Sequence, residues 1–244
     1  IWAPLVSALG RRDVLRLSPP GFGVPLPDGF GATHLEYRDW LEAELEAMDG
    51  PIDLVGHDWG GGHVVNVVMH RPALVRSWAS DVLGLFDPDY VWHDMAQVWQ
   101  TPGAGEEHLE SMMGGGLSQR TELMVSFGIP ADIAGAMAEF QNTDMRTAIL
   151  ALYRSAAQPA MAEAGRDLEA AAARPGLSLL ATADPFPPAN DTPRRAAAPA
   201  RAPTAARQGL APRVLVQDPD PPPASPLALR RPPAPSSTHH RPPP

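Results

Sequence analysis

One stretch of the chain, residues 52–72, places the strongest constraint on the fold. The apolar run "IDLV" is typical of a short buried strand, and "HVVNVVMHRP" is typical of a helix whose valines face a sheet and which ends before Pro72. The turn "GHDWG" between them is expected to be sharp, with glycines where larger residues would collide with neighbouring backbone. A strand that passes through a tight turn into a helix favours the α/β class of folds.

The sequence on either side continues this alternation. "WAPLVSALG" has helical spacing with Gly10 at a C-cap position, and Val14 to Leu17 is interpreted as a short strand stopped by a Pro-Gly turn. Leu177 to Ala181 predicts a further strand. "THLEYRDWLEAELEAMDG" predicts an amphipathic helix that ends at Gly50. The apolar face of that helix is expected to consist of Leu35, Trp40, Leu41, Leu45 and Met48.

Changes of composition divide the chain into four parts. Residues 1–85 are expected to form the first part of an α/β core, and residues 86–168, rich in Met and Trp at helical spacing, a helical cap insertion. Residues 169–189 return to the core. Residues 190–244 hold 15 of the 30 prolines, and because proline cannot donate a backbone hydrogen bond, we expect an irregular tail there.

Charge and composition argue against several classes of protein. The net charge of −9 divides into −14 for residues 1–189 and +5 for residues 190–244, and the acidic body argues against a nucleic-acid partner. No apolar run approaches the roughly 18 residues that span a bilayer. Cysteine is absent, which fits a reducing compartment. We therefore expect a cytoplasmic protein without a membrane segment, a metal or a cofactor, and its oligomeric state stays open.

An acid, Asp58, stands at the apex of the turn, in the pattern G-x-D-x-G from Gly56 to Gly60. A strand-to-helix turn of this pattern projects its central side chain outward. A carboxylate with a pKa near roughly 4 is anionic at neutral pH and can attack carbon without help from a base. The alternative is an ordinary tight loop, but the flanking strand and helix favour a nucleophile at Asp58.

The segment "LVGHDWGG" resembles the nucleophile segment of α/β-hydrolases related to epoxide hydrolases and haloalkane dehalogenases. The resemblance covers residues 1 to about 189, and it implies an α/β-hydrolase fold with a mostly parallel sheet, flanking helices and a helical cap. It also implies that Asp58 forms an ester with a small apolar electrophile, an epoxide or a haloalkane, which water then hydrolyses. Trp59, through its backbone N–H or its indole, and Trp99 are candidates for binding the oxyanion or the leaving group, or else they are packing residues.

The same resemblance suggests further site residues. Asp184, in the turn after "LSLLA", is the expected acid that orients a histidine, and Asp81, after "VRSWAS", is the alternative because some relatives place the acid there. "ALYRSA" resembles the segment that carries one of two cap tyrosines which protonate an opening epoxide, so Tyr153 is a candidate acid. Met95 takes the place of the second tyrosine, and nearby Tyr90 is a candidate substitute or a packing residue.

The resemblance breaks at the catalytic histidine, because Pro212 stands where relatives carry it. Two remaining candidates, His239 and His240, lie far beyond that position. All 19 basic residues are Arg, which is typical of a gene rich in G and C, and a shifted reading frame in such a gene would yield the Pro, Arg and Ala that follow residue 190. We therefore expect impaired turnover. The other histidines are interpreted as surface or packing residues: His34, His63, His70, His93 and His108.

At the other end, the relatives carry a strand and an H-G-x-P-type loop before "WAPLVSALG", and we expect both to be missing from this chain. Two interpretations without catalysis stay open. One is a non-catalytic protein whose Pro-rich tail, with segments such as "RRPPAP", binds a partner domain. The other is a remnant of the hydrolase fold that binds a small ligand. A serine esterase is disfavoured because no G-x-S-x-G occurs.

Overall fold

Four parallel strands form one sheet in the computed structural model, which describes residues 2–181 and 191–207. The strands are β1 (Ile52–Gly56), β2 (Val75–Ser80), β3 (Gly176–Ala181) and β4 (Thr204–Arg207), and they lie side by side in chain order. Their carboxyl ends therefore share one edge of the sheet. This arrangement confirms the expected α/β class.

The connections between the strands are helical, as parallel neighbours require. Short 3₁₀ helices cover 72–74, 83–86 and 165–173. The α-helices are α1 (Ala3–Leu9), α2 (His34–Glu46), α3 (Trp59–His70), α4 (Asp94–Gln100), α5 (Ala104–Met113), α6 (Leu117–Ser126), α7 (Ala131–Glu139), α8 (Thr143–Ser155), α9 (Ala160–Ala164) and α10 (Thr192–Ala197).

Helix α3 packs against β1 and β2 and lies in the middle of the main hydrophobic core. Its four valines are all buried, as the sequence predicts: Val64, Val65, Val67 and Val68. Trp78 of β2 is also fully buried, and Gly176 leaves room for its ring, because a Cβ at Gly176 would lie 2.3 Å from the indole. Close packing of this kind fixes the position at which α3 begins, and that start is the turn around Asp58.

Two sequence predictions near the amino end need correction. Helix α2 ends at Glu46, not Gly50, and Leu35 is exposed, because the face turned to the core carries His34, Tyr37, Leu41 and Leu45. The first turn is set by Thr33 and Glu36, which form a capping box. By contrast, the predicted C-cap at Gly10 is confirmed, with a left-handed φ of 62° after α1.

The predicted strand from Val14 to Leu17 is wrong. None of these residues joins a ladder with another described segment, and Leu15 is 67% exposed. An extended segment becomes a strand only when a neighbour accepts and donates its backbone hydrogen bonds. The four residues carry the right side chains, but no described strand lies beside them.

The bounds of the predicted cap insertion, 86 and 168, stay a prediction. Within the described ranges, no helix has both the length and the apolar character that a bilayer span requires. The short run "RVLVQ", at residues 213–217, resembles a strand in its sequence, but it lies outside the described residues.

Candidate active site

Asp58 adopts a rare backbone conformation at the junction of β1 and α3. Its φ is 51° and its ψ is −131°, although it is not glycine. Such a conformation costs on the order of 1–3 kcal/mol and persists only where the surroundings enforce it. The carbonyl of Asp58 accepts hydrogen bonds from the N–H groups of Gly61 (2.8 Å) and Gly62 (3.2 Å), so the strained residue also begins the helix.

The glycines around Asp58 serve different purposes. A Cβ at Gly56 would lie 2.3 Å from the carbonyl oxygen of Gly60, and a Cβ at Gly61 would lie 2.7 Å from Oγ of Ser80. A Cβ at Gly60, in contrast, would meet nothing within 4 Å. The prediction that both glycines of the G-x-D-x-G pattern avoid collisions therefore holds for Gly56 and is wrong for Gly60. Gly61, just beyond the pattern, is the second tight position.

The surroundings of Asp58 shift the pKa of its carboxyl group. The residue is exposed, while its pKa is raised, first because the surrounding protein removes hydration and further because of the charge of Asp81. His57 and the backbone N–H of Trp59 act in the opposite direction and favour the anion.

Asp81 forms hydrogen bonds with His57 and with the backbone of Asp58. Gly56 and Ser80 are paired at the ends of β1 and β2, so the residues that follow them, His57 and Asp81, leave the sheet side by side. Oδ2 of Asp81 is hydrogen-bonded to Nδ1 of His57. Oδ1 of Asp81 accepts a hydrogen bond from the backbone N–H of Asp58 at 3.0 Å. The side chains of His57 and Asp81 are 13% and 7% exposed, so the bond between them is largely shielded from water, whereas the bond to the N–H of Asp58 is exposed.

Tyr153 of α8 is brought next to the turn. Its ring contacts Trp59 edge-on with centroids 5.2 Å apart, and the side chain is buried. The pKa of Tyr153 lies well above the ordinary value, first because the hydroxyl is buried and then because of the negative charge of Asp58, whereas a hydrogen bond from Trp59 acts the other way. The phenol therefore stays protonated and lies near enough to Asp58 to sense its charge.

Further aromatic side chains surround Tyr153. Trp99 of α4 lies 4.8 Å from it between ring centroids, and Trp92 lies 5.4 Å away and stacks on Trp59 at 5.7 Å. The indole N–H of Trp99 donates to Nδ1 of His108 at 2.9 Å, so this donor points to a neighbouring helix. The N–H of Trp92 is buried without an acceptor among the described residues.

The structure thus brings together four of the residues singled out from the sequence, Asp58, Trp59, Asp81 and Tyr153, and Trp99 packs against Tyr153. The roles assigned to these residues stay predictions. Asp184, Pro212, His239 and His240 lie outside the described residues. Within residues 2–181 and 191–207, no group of three or more His, Asp or Glu side chains is arranged to hold a metal ion.

Two residues of the site, His57 and Trp92, were not predicted from the sequence. For His57 a signal existed, because parallel pairing of "IDLVG" with "VRSWAS" places His57 opposite Asp81 once the register is known. Trp92 lies in an irregular segment without periodicity, and only the packing of the rings reveals its position.

His63, one of the histidines interpreted as packing residues, is buried between Tyr37 and Trp59. Its ring stacks on Tyr37 with centroids 4.7 Å apart. Burial lowers the pKa of His63 to about 3, and the charge of His34 acts in the same direction. Neither ring nitrogen has a hydrogen-bond partner among the described residues. This histidine is therefore neutral in the folded protein.

Comparison of the chain with protein-family models gives no match, and comparison with curated protein sequences gives none either. Solved structures do match. The haloalkane dehalogenase DbeA from Bradyrhizobium elkani is similar with a TM-score of 0.63 and 20% identity, over 90% of this chain and 81% of its own. A variant of the meta-cleavage product hydrolase CumD gives 0.61 and 12%, over 88% and 79%. E-2-(Acetamidomethylene)succinate hydrolase gives 0.59 and 18%, over 78% and 70%.

These similarities define the class of fold. The chain has the α/β-hydrolase fold, and a carboxylate, that of Asp58, stands at the sharp turn where one of its parallel strands passes into a helix. At identities this low the likeness concerns the fold alone.

Proposed function

We propose that the protein is a hydrolase that uses Asp58 as a nucleophile toward a small apolar electrophile, with an epoxide as the preferred substrate and a haloalkane as the alternative. The observation that carries the proposal is the strained backbone of the exposed residue Asp58 at the turn, with the protonated phenol of Tyr153 against the residue that follows it. Strain at a non-glycine residue is often maintained where function requires it.

In the first step an oxygen of the Asp58 carboxylate forms a bond to a carbon of the substrate. With an epoxide, the C–O bond of the ring breaks, and its electron pair stays on the oxygen, which takes the proton of Tyr153. With a haloalkane, the carbon–halogen bond breaks and the halide leaves with the electron pair, so no proton is needed. Either reaction leaves an ester on Asp58, and no cofactor takes part.

Two observations favour the epoxide. The raised pKa of Tyr153 keeps its proton available for transfer until an alkoxide, a far stronger base, develops beside it. A departing halide is stabilised best by several N–H donors, but the indole N–H of Trp99 is already bonded to His108. The indole of Trp59 is engaged as well, because it donates a hydrogen bond to the hydroxyl of Tyr153.

In the second step water adds to the ester carbonyl, the acyl C–O bond breaks, and an alcohol leaves while Asp58 becomes a carboxylate again. The backbone N–H of Trp59, which favours the anionic form of Asp58, is placed to stabilise the oxyanion of this step. This step needs a base to remove a proton from water. Because Pro212 stands where relatives carry the histidine, we propose that the ester is hydrolysed slowly in this chain.

The test is intact-mass spectrometry of the folded protein incubated with styrene oxide or with 1-bromobutane. The proposal predicts one covalent adduct that persists for minutes or longer, with styrene oxide reacting faster. Asp58→Asn should form no adduct, whereas Asp49→Asn, a control in the exposed turn after α2, should react like the wild type. An adduct on Asp58→Asn at the wild-type rate, or none on the wild type with any epoxide or haloalkane, would exclude this function.

A further inference from the structure

The backbone strain at Asp58 requires an explanation in contacts, because helix α3 alone does not enforce a φ of 51°. Asp58 precedes the helix, and no side-chain cap stabilises its conformation. Its carbonyl accepts hydrogen bonds from the N–H groups of Gly61 and Gly62, and its own N–H donates to Oδ1 of Asp81 at 3.0 Å. The bond to Asp81 fixes the orientation of the peptide group immediately before the nucleophile.

Asp81 is itself held in place. Its second oxygen, Oδ2, bonds to Nδ1 of His57, and the residue follows directly on Ser80, which is paired with Gly56 in the sheet. One carboxylate therefore binds two consecutive residues of the turn, and it continues the contact between β1 and β2 beyond the last pair of the ladder. Because the side chains of His57 and Asp81 are nearly buried, water competes weakly for the bond between them.

The geometry points to a specific role: Asp81, supported by His57, is a positioning residue that holds the Asp58 turn in the conformation from which its carboxylate attacks. This inference rests on the proposed function for its kinetic consequence and on the contacts alone for its structural one. It differs from the expectation that Asp81 orients a distant histidine for ester hydrolysis, because both of its oxygens are bonded to the turn itself.

The matched variants are Asp81→Asn and Asp81→Ala. Asparagine keeps a carbonyl oxygen that accepts the N–H of Asp58, whereas alanine removes the acceptor. We expect Asp81→Ala to lower the maximal rate constant of adduct formation about 10- to 100-fold, as a misplaced reacting group does, while the substrate concentration for half-maximal rate changes less than about twofold. Asp81→Asn should recover most of the rate.

A role in stability alone would give another pattern, because the folded fraction of both variants would then react at the wild-type rate constant. If Asp81→Ala forms the adduct normally and slows only its hydrolysis, Asp81 acts as the acid of the second step and the inference is overturned. If Asp81→Ala does not fold, His57→Leu serves instead. It should slow adduct formation roughly three- to tenfold, and an unchanged rate would contradict the inference.

A second readout requires no substrate. Hydrogen exchange of the Asp58 amide, followed by NMR in the intact protein, should be slow in the wild type, intermediate in Asp81→Asn and at least about tenfold faster in Asp81→Ala. Slow exchange in a folded Asp81→Ala variant would overturn the positioning role even if the adduct is found. Loss of protection in this variant with no adduct on the wild type would refute the proposed function and keep the positioning role.

Discussion

The phenol ring of Tyr153 lies edge-on against the indole of Trp59, with their centroids 5.2 Å apart. This contact joins α8 to the first residue of α3, directly after Asp58. It brings the proposed proton donor against the residue that follows the proposed nucleophile. Separating the two functions requires a substitution that keeps the ring and removes the hydroxyl.

Tyr153→Phe is that substitution. We expect adduct formation with styrene oxide to slow about 10²- to 10³-fold, because the opening oxygen loses its proton donor. Adduct formation with 1-bromobutane should change less than about threefold, since a halide leaves without a proton. Rapid-quench mass spectrometry measures both rates. Equal effects on the two substrates would mean that Tyr153 acts only as a packing residue beside the turn.

The bond between Trp99 and His108 predicts a structural effect. Trp99→Phe and His108→Leu should each lower the free energy of unfolding, and a double-mutant cycle should give a coupling energy of about 1 kcal/mol, as for a net intramolecular hydrogen bond. Denaturant titration measures the four free energies. Slower reaction of Trp99→Phe with 1-bromobutane, combined with a coupling energy near zero, would show that the indole donates to the halide instead.

The buried His63 predicts how stability depends on pH. The pKa of His63 is lowered to about 3 in the folded protein, below the roughly 6.5 of an unfolded chain, so only the unfolded chain takes up a proton as the pH falls below 6.5. The free energy of unfolding is therefore highest above pH 6.5 and declines toward pH 3. At pH 5 the contribution of His63 is a loss of about 2 kcal/mol.

The variant His63→Phe tests this, because phenylalanine preserves the stacking on Tyr37 and cannot be protonated. Its stability should depend less on pH between 6.5 and 5, and the slope that remains reflects His34 and His93, whose pKa values burial also lowers. Identical slopes for the wild type and His63→Phe would show that His63 is not the group responsible.

The turn around Asp58 predicts an unequal response of two glycines. Gly56→Ala should cost about 3 kcal/mol or more, because the added methyl group would collide with the carbonyl of Gly60. Gly60→Ala should leave stability unchanged or raise it by up to about 1 kcal/mol, since the position is helical and has room. Thermal unfolding compares the two. Equal destabilisation would contradict the geometry of the turn.

The parts of this fold that could be predicted from sequence are those with a clear period. The spacing of the valines identifies helix α3, and the apolar run "IDLV" identifies strand β1. Both elements are present, and all four valines of α3 are buried. Val14 to Leu17 shows the limit of such reasoning, because an apolar run does not reveal whether a neighbouring strand accepts its hydrogen bonds.

The candidate site shows the same division. Asp58 could be singled out because its neighbours in sequence, two glycines and a strand, signal a sharp turn. The bond of Asp81 to His57 and to the N–H of Asp58 depends on strand register, which no local pattern contains. Likewise, the commitment of the Trp99 indole to His108 is a matter of packing between α4 and α5.

The most direct test of the account is to locate the covalent adduct by tandem mass spectrometry of peptides from protein treated with styrene oxide. The account predicts that the added mass lies on the carboxylate of Asp58 and that mild alkaline treatment removes it, as expected for an ester. An added mass on Asp81 or on a histidine, with Asp58 unmodified, would contradict the assignment of the nucleophile.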